Sequence, residues 1–165
     1  MTETAGSTAA RTTAGWEDGE LVITRAFDAP RELVLAAWTQ PGHFARWFGP
    51  RGSTLEVRAL DARPGGALHY RHHLPNGEEV WIAGVYHEVA APGRIAWTTY
   101  FSDAEGNRVP RPAYPEAEGR ITVAFAEEGG GTRVTARHAG LPGDRGEVEG
   151  WTESLDRLES HLANA

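Results

Sequence analysis

The chain has 165 residues, a formal net charge of −7 and no cysteine. This length predicts one domain, and the lack of thiols excludes disulfides, thiolate zinc sites and cysteine nucleophiles. All 16 basic residues are arginines, which excludes chemistry that needs a lysine, such as a Schiff base. The acidic balance disfavours nucleic acid or an anionic membrane as a partner. Because the sequence shows neither a signal peptide nor a long apolar run, we expect a cytoplasmic protein.

The first third of the chain predicts a tail, a strand and two helices. Residues 1–15 are rich in Thr, Ala, Gly and Ser without an apolar period, so we predict a disordered tail followed by one domain over 16–165. A strand is predicted over 20–27. A helix is predicted over 28–39, with a proline in its first turn, and a shorter helix over 43–48 after a Pro-Gly break.

From residue 55 onward the apolar period changes to two, which predicts strands separated by turns rich in Pro, Gly and Asn. The predicted strands are 55–61, 67–74, 80–89, 94–101, 119–126 and 132–140. Short connections between consecutive strands predict an antiparallel meander. The exception is the proline-rich segment 102–118, whose length is typical of a lid or a mouth.

A turn at 75–78 would place His72 opposite Trp81 and, one turn later, Trp97 near His87. One face of the sheet is then apolar and the other charged, as in a sheet covered on one side. The predicted inner face holds Leu68, Tyr70, His72, Trp81, Val85, Ile95, Trp97, Phe101, Ile121, Phe125 and Val134. The predicted outer face holds His69, Arg71, Glu88, Arg94, Arg120, Arg133 and Arg137. Four further outer residues would suit a homodimer, although edge pairing or plain exposure suits them equally: Val80, Ile82, Tyr86 and Tyr100.

The end of the chain predicts one long amphipathic helix over 144–162. Its apolar residues recur at steps of three and four and so share one face: Val148, Trp151, Leu155, Leu158 and Leu162. Asp144 and Glu147 predict a capping box at the start of this helix. A single helix with such a stripe must cover a sheet, and we expect the functional site between the two.

This order of elements predicts an α+β helix-grip (START-like) fold, in which an antiparallel β-meander curves around a long C-terminal helix and two short helices follow the first strand. Local motifs narrow the resemblance: Phe27-Asp28-Ala29-Pro30-Arg31-Glu32-Leu33-Val34, Trp38-Thr39, Arg46-Trp47-Phe48-Gly49-Pro50, Pro64-Gly65-Gly66, Pro75-Asn76-Gly77, Gly84-Val85-Tyr86-His87-Glu88-Val89, Gly131-Thr132 and Gly150-Trp151-Thr152-Glu153-Ser154-Leu155. From Leu21 to Ala163 the chain resembles bacterial single-domain proteins related to the activator of the heat-shock-protein-90 ATPase, in the START-like SRPBCC superfamily. The resemblance implies a cavity between sheet and helix for small apolar or aromatic molecules, and it does not imply a reaction. The chaperone-activating role belongs to longer proteins with an additional N-terminal domain.

We therefore predict that the cavity binds a small hydrophobic molecule of aromatic or polyketide-like character. The residues expected to bind it are Trp151 and Leu155 on the helix, Tyr70, His72, Trp81, Trp97 and Phe101 on the sheet, and Phe44 and Trp47 at the mouth with segment 102–118. For any single tryptophan, core packing is the simpler interpretation. For His72, the simpler interpretation is a hydrogen-bonded core histidine.

Other chemistry finds less support in the sequence. The histidines at 69, 72, 73 and 87 lack a carboxylate at metal-ligand spacing, so we expect no metal and no cofactor. The glycine-rich turns do not open helices, and no Gly-x-Ser-x-Gly or His-Glu-x-x-His motif is present. Two alternatives stay open. One is a cyclase or dehydratase that uses His72 or a pocket carboxylate as general base, and the other is a module that interacts with a chaperone.

Overall fold

An antiparallel sheet and three helices make up the described part of the computed structural model, residues 12–111, 118–141, 143 and 146–164. The strands are β1 (Thr12–Glu17), β2 (Glu20–Phe27), β3 (Thr54–Leu60), β4 (Ala67–His73), β5 (Glu79–Ala90), β6 (Arg94–Phe101), β7 (Gly119–Glu128) and β8 (Gly131–Ala139). The helices are α1 (Arg31–Thr39), α2 (Pro41–Trp47) and α3 (Glu147–Ala163). The eight strands form one sheet in the order β1-β2-β8-β7-β6-β5-β4-β3, which confirms the helix-grip fold.

The core lies on one face of the sheet, which all three helices cover. Along β2 every second residue is buried, so Leu21, Ile23 and Phe27 point toward the helices. In α3 the buried residues include Trp151, Leu155 and Leu158, as the apolar stripe predicted. Each such side chain contributes about 1.5–3 kcal/mol when it leaves water. The apolar face of α3 therefore packs against the buried face of the sheet, and this contact holds the helix in place.

The predicted disordered tail is wrong over its last residues. Residues 12–15 belong to β1, whose backbone pairs with β2 from Thr12 opposite Arg25 to Glu17 opposite Glu20. The strand lies at the sheet edge and most of its side chains are exposed, so its sequence needs no apolar alternation. Residues 1–11 lie outside the described residues.

The helix starts also differ from the predictions. The helix α3 begins at Glu147, and its N-cap is Gly146 with a φ of 79° and no side-chain cap hydrogen bond, so the capping box is wrong. Asp144, the predicted cap, lies outside the described residues. The helix α2 begins at Pro41 rather than after it, because a proline in the first turn loses no helical hydrogen bond.

The predicted pairing of β4 with β5 is wrong by one residue. The structure pairs His72 with Val80, not with Trp81. The Leu74 N–H donates to the Glu78 carbonyl at 2.8 Å, and the Gly77 N–H donates to the Leu74 carbonyl at 2.9 Å. Leu74 therefore lies opposite Glu78, and the turn between them consists of residues 75–77. The turn is thus shorter by one residue than the predicted turn over 75–78, and this change moves every β5 side chain to the other face of the sheet.

The slip reverses the assignment of several side chains. Trp81 and Val85 lie on the outer face, where the Trp81 ring contacts His69 at 5.0 Å between centroids. The guanidinium of Arg71 lies 5.0 Å from the centroid of the Trp81 ring on that face. Trp97 pairs with Tyr86, and His87 falls at the register shift that follows this pair. Three members of the proposed homodimer stripe point inward instead: Val80, Ile82 and Tyr86.

Candidate functional site

A cavity of about 420 Å³ lies between the first half of α3 and one end of the sheet. Four residues on one face of α3 line it: Glu147, Gly150, Trp151 and Ser154. From the strands it is lined by Tyr70, His72, Val80, Ile82, Thr99, Phe101, Gly119, Ile121 and His138. Most of these groups are apolar, and the volume falls in the range of about 300–1,000 Å³ that is usual for small-molecule sites.

The space exists because α3 presents small residues at this end of the sheet. A Cβ built on Gly150 meets no heavy atom within 4 Å, so a void lies directly beneath that residue. One turn later Ser154 lines the cavity, and its Oγ accepts a hydrogen bond from the Gly49 N–H at 3.1 Å. In the second half of the helix, Leu155 and Leu158 are fully buried and leave no comparable space.

Beside the cavity, the core is filled by an aromatic cluster centred on Trp38, whose ring centroid lies 6.2 Å from that of the cavity residue Trp151. The ring centroid of Trp38 lies 4.7 Å from that of Trp47, 6.2 Å from that of Trp97 and 6.1 Å from that of Phe125. The Trp47 Nε1–H donates to the Ala37 carbonyl at 2.9 Å, so this indole is satisfied by α1. The rings of this cluster contact one another, and no room for a ligand remains among them.

The residues predicted to bind a ligand fall into three groups. Those that line the cavity are Tyr70, His72, Phe101 and Trp151. Those buried in the packed part of the core that do not line the cavity are Phe44, Trp47, Trp97 and Leu155. Trp81 lies on the outer face because of the register slip. The alternation of apolar residues along each strand identified the inward side chains. It could not show whether an inward ring borders a void or packs against another ring.

Phe44 and Trp47, which were predicted at the mouth, do not line the cavity, whereas Phe48 and Arg111 do. Phe48 lines the cavity and stacks on the His72 ring with centroids 6.0 Å apart. From the predicted mouth segment, Arg111 lines the cavity, donates from Nη2 to Glu78 Oε2 at 3.1 Å and lies over the ring of Phe101. Residues 112–117 of that segment lie outside the described residues.

His138 lines the cavity and was missed by the sequence analysis. Its Nδ1 accepts a hydrogen bond from the Trp151 Nε1–H at 3.1 Å. Burial lowers the pKa of His138 to about 4, so the ring is neutral at pH 7. The signal was available in the alternation of β8, because His138 has the same parity as the inward Val134 and Ala136.

His72 occupies the opposite wall of the cavity. Burial, followed by the nearby charge of Arg157, lowers the pKa of His72 to about 4. Its Nδ1 is buried and has no hydrogen-bond partner among the described residues. The Arg157 guanidinium donates to the Gly49 and Pro50 carbonyls at 3.1 and 3.0 Å, which fastens this wall to α3. The cavity therefore has a neutral imidazole on each side.

The remaining polar chemistry of the site is limited. Burial raises the pKa of the Tyr70 phenol well above its usual value, so that hydroxyl is not ionised at neutral pH. Over the described residues, no three His, Asp or Glu side chains are grouped so that they could hold a metal ion. None of the helices in the described ranges is long and apolar enough to cross a membrane. The arrangement suits binding of an apolar molecule with a few polar atoms.

Comparison with known proteins gives the family. A family model described as Activator of Hsp90 ATPase homolog 1-like protein matches residues 28–163. The solved structure of CV1439 from Chromobacterium violaceum is 26% identical in sequence and has a TM-score of 0.75. The match covers 88% of this chain and 98% of CV1439. Ms6760 from Mycobacterium smegmatis is 23% identical, covers 92% of this chain and 96% of its own, and has a TM-score of 0.81.

A third similar structure is the AHSA1 protein from Silicibacter pomeroyi, which is 23% identical, covers 88% of this chain and 98% of its own, and has a TM-score of 0.71. None of the curated proteins matches the chain significantly. The family model spans most of the sequence, from the residue after β2 to the end of α3. The chain therefore belongs to the family of Activator of Hsp90 ATPase homolog 1-like proteins, in the SRPBCC superfamily.

Proposed function

We propose that this protein binds a small hydrophobic molecule, aromatic or polyketide-like, in the cavity between α3 and the sheet. The observation that carries the proposal is a void of about 420 Å³ with mostly apolar walls, beneath a helix that presents Gly150 and Ser154 there. Binding of hydrophobic ligands is general in this superfamily. Burial of apolar ligand surface in such a void contributes about 25 cal/mol per Å².

The walls favour a flat, ring-containing molecule. The aromatic rings that border the void include four from different segments of the chain: Phe48 after α2, Tyr70 on β4, Phe101 on β6 and Trp151 on α3. Each ring-to-ring contact with a ligand adds about 0.5–1.5 kcal/mol beyond area burial. The few polar side chains among them, which include Thr99 and the two neutral histidines, would orient such a ligand rather than supply most of its affinity.

Tryptophan fluorescence tests the proposal, because Trp151 borders the void. We expect saturable quenching by at least one member of a panel of flavonoids, polyketides, fatty acids and sterols. Replacing Gly150 with leucine puts a branched side chain into the void, and we expect this variant to bind the same compound at least tenfold more weakly. That loss corresponds to about 1.4 kcal/mol.

The matched control is Gly150→Ala, whose single methyl group leaves most of the void open. We expect this variant to bind the compound as the wild type does. Unchanged affinity in Gly150→Leu would contradict the location of the site, and the absence of saturable binding across the whole panel would contradict the proposed function.

A further inference from the structure

The hydrogen bond between Trp151 and His138 fixes which nitrogen of His138 carries the proton. An indole N–H can only donate, so His138 Nδ1, which lies 3.1 Å from Trp151 Nε1, must accept. A neutral imidazole has one protonated nitrogen, and in this ring it is Nε2. The indole therefore selects one tautomer and makes Nε2 a hydrogen-bond donor.

The Nε2 donor has no protein acceptor in the described part of the chain. The Trp151 bond is the hydrogen bond that His138 makes there, and it uses Nδ1. A Cβ built on Gly119 would lie 3.0 Å from Nε2 and 3.1 Å from Thr99 Oγ1, so the missing side chain leaves this nitrogen accessible. His138, Gly119 and Thr99 all line the cavity. A donor that faces the cavity without a protein acceptor can bond to water, and a ligand oxygen can take the place of that water.

We propose that His138 donates a hydrogen bond from Nε2 to an uncharged acceptor oxygen of the ligand, such as an aryl ketone carbonyl. This inference rests on the proposed function of the cavity. An uncharged oxygen is favoured because Arg111, the cavity-lining arginine, is already paired with Glu78, and an unpaired carboxylate would lose its hydration. The site thus selects aromatic ketones over hydrocarbons of the same shape.

His72 does not impose the same selection. Its Nδ1 has no partner in the described residues, so no hydrogen bond chooses between its two tautomers. The ring can present either a donor or an acceptor to a ligand. Because His72 could itself donate to a ligand, the control is His69→Phe, which changes a histidine on the outer face of the sheet that does not line the cavity.

The tautomer is tested without any ligand. Long-range proton–nitrogen NMR spectra of the imidazoles identify the protonated nitrogen, and we expect His138 to carry its proton on Nε2 at pH 7. In Trp151→Phe, which keeps a ring but loses the indole N–H, we expect a mixture of tautomers. A wild-type His138 with its proton on Nδ1 would overturn the inference.

The selectivity is tested with 2-acetylnaphthalene and 2-isopropenylnaphthalene, which differ by a carbonyl oxygen in place of a methylene group. We expect the ketone to bind the wild type about five- to tenfold more tightly than the alkene, as one net hydrogen bond would give. In His138→Asn the amide oxygen can still accept from Trp151, but the shorter side chain places no N–H at the position of Nε2, so we expect the preference to fall to about one. His69→Phe should keep the preference. Trp151→Phe, which should reduce it, replaces His138→Asn should that variant fail to fold.

The outcomes separate the two proposals. Equal binding of ketone and alkene by the wild type would overturn the role of His138 and leave the proposed function intact. A preference that survives in both His138→Asn and Trp151→Phe would also overturn it. Failure of both naphthalenes and of the whole compound panel to bind would contradict the proposed function, and the tautomer spectrum would still decide the state of the ring.

Discussion

The two ends of the space beneath α3 are bordered by the same strands but are filled differently. On β6, Trp97 packs into the aromatic cluster around Trp38, whereas Phe101, four residues further along the same face, borders the cavity. The packed end is filled by side chains of α1 and α2. At the cavity end, α3 presents Gly150 and Ser154, and the space stays open. An inward aromatic ring is therefore not by itself a sign of a binding site. Whether the ring borders a cavity depends on which side chains lie opposite it.

This comparison predicts that substitutions at the two ends have different effects on stability and on ligand binding. Rings at the packed end contact protein on every side, so removing one leaves a new void. Rings at the cavity end already border a void, and removing one enlarges it. Changes at the packed end should therefore lower stability, and changes at the cavity end should mainly alter binding.

The largest effect is expected from Trp38→Ala. This indole is 1% exposed and contacts several rings of the cluster, so its removal should lower the free energy of unfolding by about 3–5 kcal/mol. Trp151→Ala should cost less, about 1–3 kcal/mol, because one side of that indole borders the cavity. Denaturant unfolding of both variants measures the difference, and equal losses would contradict the division between the two ends.

The cavity end should also make stability depend on pH. His72 and His138 both have a folded pKa of about 4, below the ordinary value of 6.5. The unfolded chain therefore binds more protons between these values, and stability present above pH 6.5 is lost as the pH falls toward 4. The loss approaches about 3 kcal/mol for each histidine.

Unfolding curves at pH 7 and pH 4.5 measure this loss. The variant His138→Asn removes one of the two histidines, so the difference between the two pH values should shrink by a substantial part. The same pH dependence in the variant and in the wild type would show that His138 is not held neutral by burial.

A smaller effect is expected from the ion pairs that hold the second half of α3. The Arg25 side chain is 4% exposed and donates to Asp156 at 2.6 Å and to Glu159 at 3.4 Å. Arg25→Met should cost about 1–3 kcal/mol, because the charged hydrogen bonds are lost while Asp156 keeps partial contact with water. Arg51→Met is the control: that side chain is 68% exposed and also pairs with Asp156, and its loss should cost at most about 1 kcal/mol. Equal costs in unfolding experiments would show that burial does not strengthen the Arg25 pairs.

The smallest effect, with the opposite sign, is expected from Gly150→Ala. A glycine inside a helix destabilises it by about 0.8–1.0 kcal/mol relative to alanine, and a Cβ at this position meets nothing within 4 Å. The variant should therefore be more stable than the wild type by up to about 1 kcal/mol in thermal or denaturant unfolding. A loss of stability would show that the space beneath residue 150 is not open.

Local patterns in the sequence were enough to predict most of the strands and helices. The bounds of β2 and β6 agree with the prediction to the residue, and the other predicted strands differ by two residues or fewer at either end. Alternation placed Tyr70 and His72 inward correctly, because that signal is contained within one strand. It failed for Trp81, since a turn shorter by one residue reverses a whole strand and the sequence alone does not give the length of the turn.

The candidate site was less accessible to prediction than the fold. The space beneath Gly150 depends on which helices fill the rest of the core, and those helices come from a distant part of the chain. His138 becomes a fixed donor only through Trp151, which lies 13 residues away on another element.

The sequence by itself determined the meander and the apolar face of α3, because periodicity is a property of neighbouring residues. Only the tertiary structure decided where a cavity remains, which rings border it and which imidazole nitrogen is protonated. These features depend on volumes and hydrogen bonds between elements that no local pattern encodes.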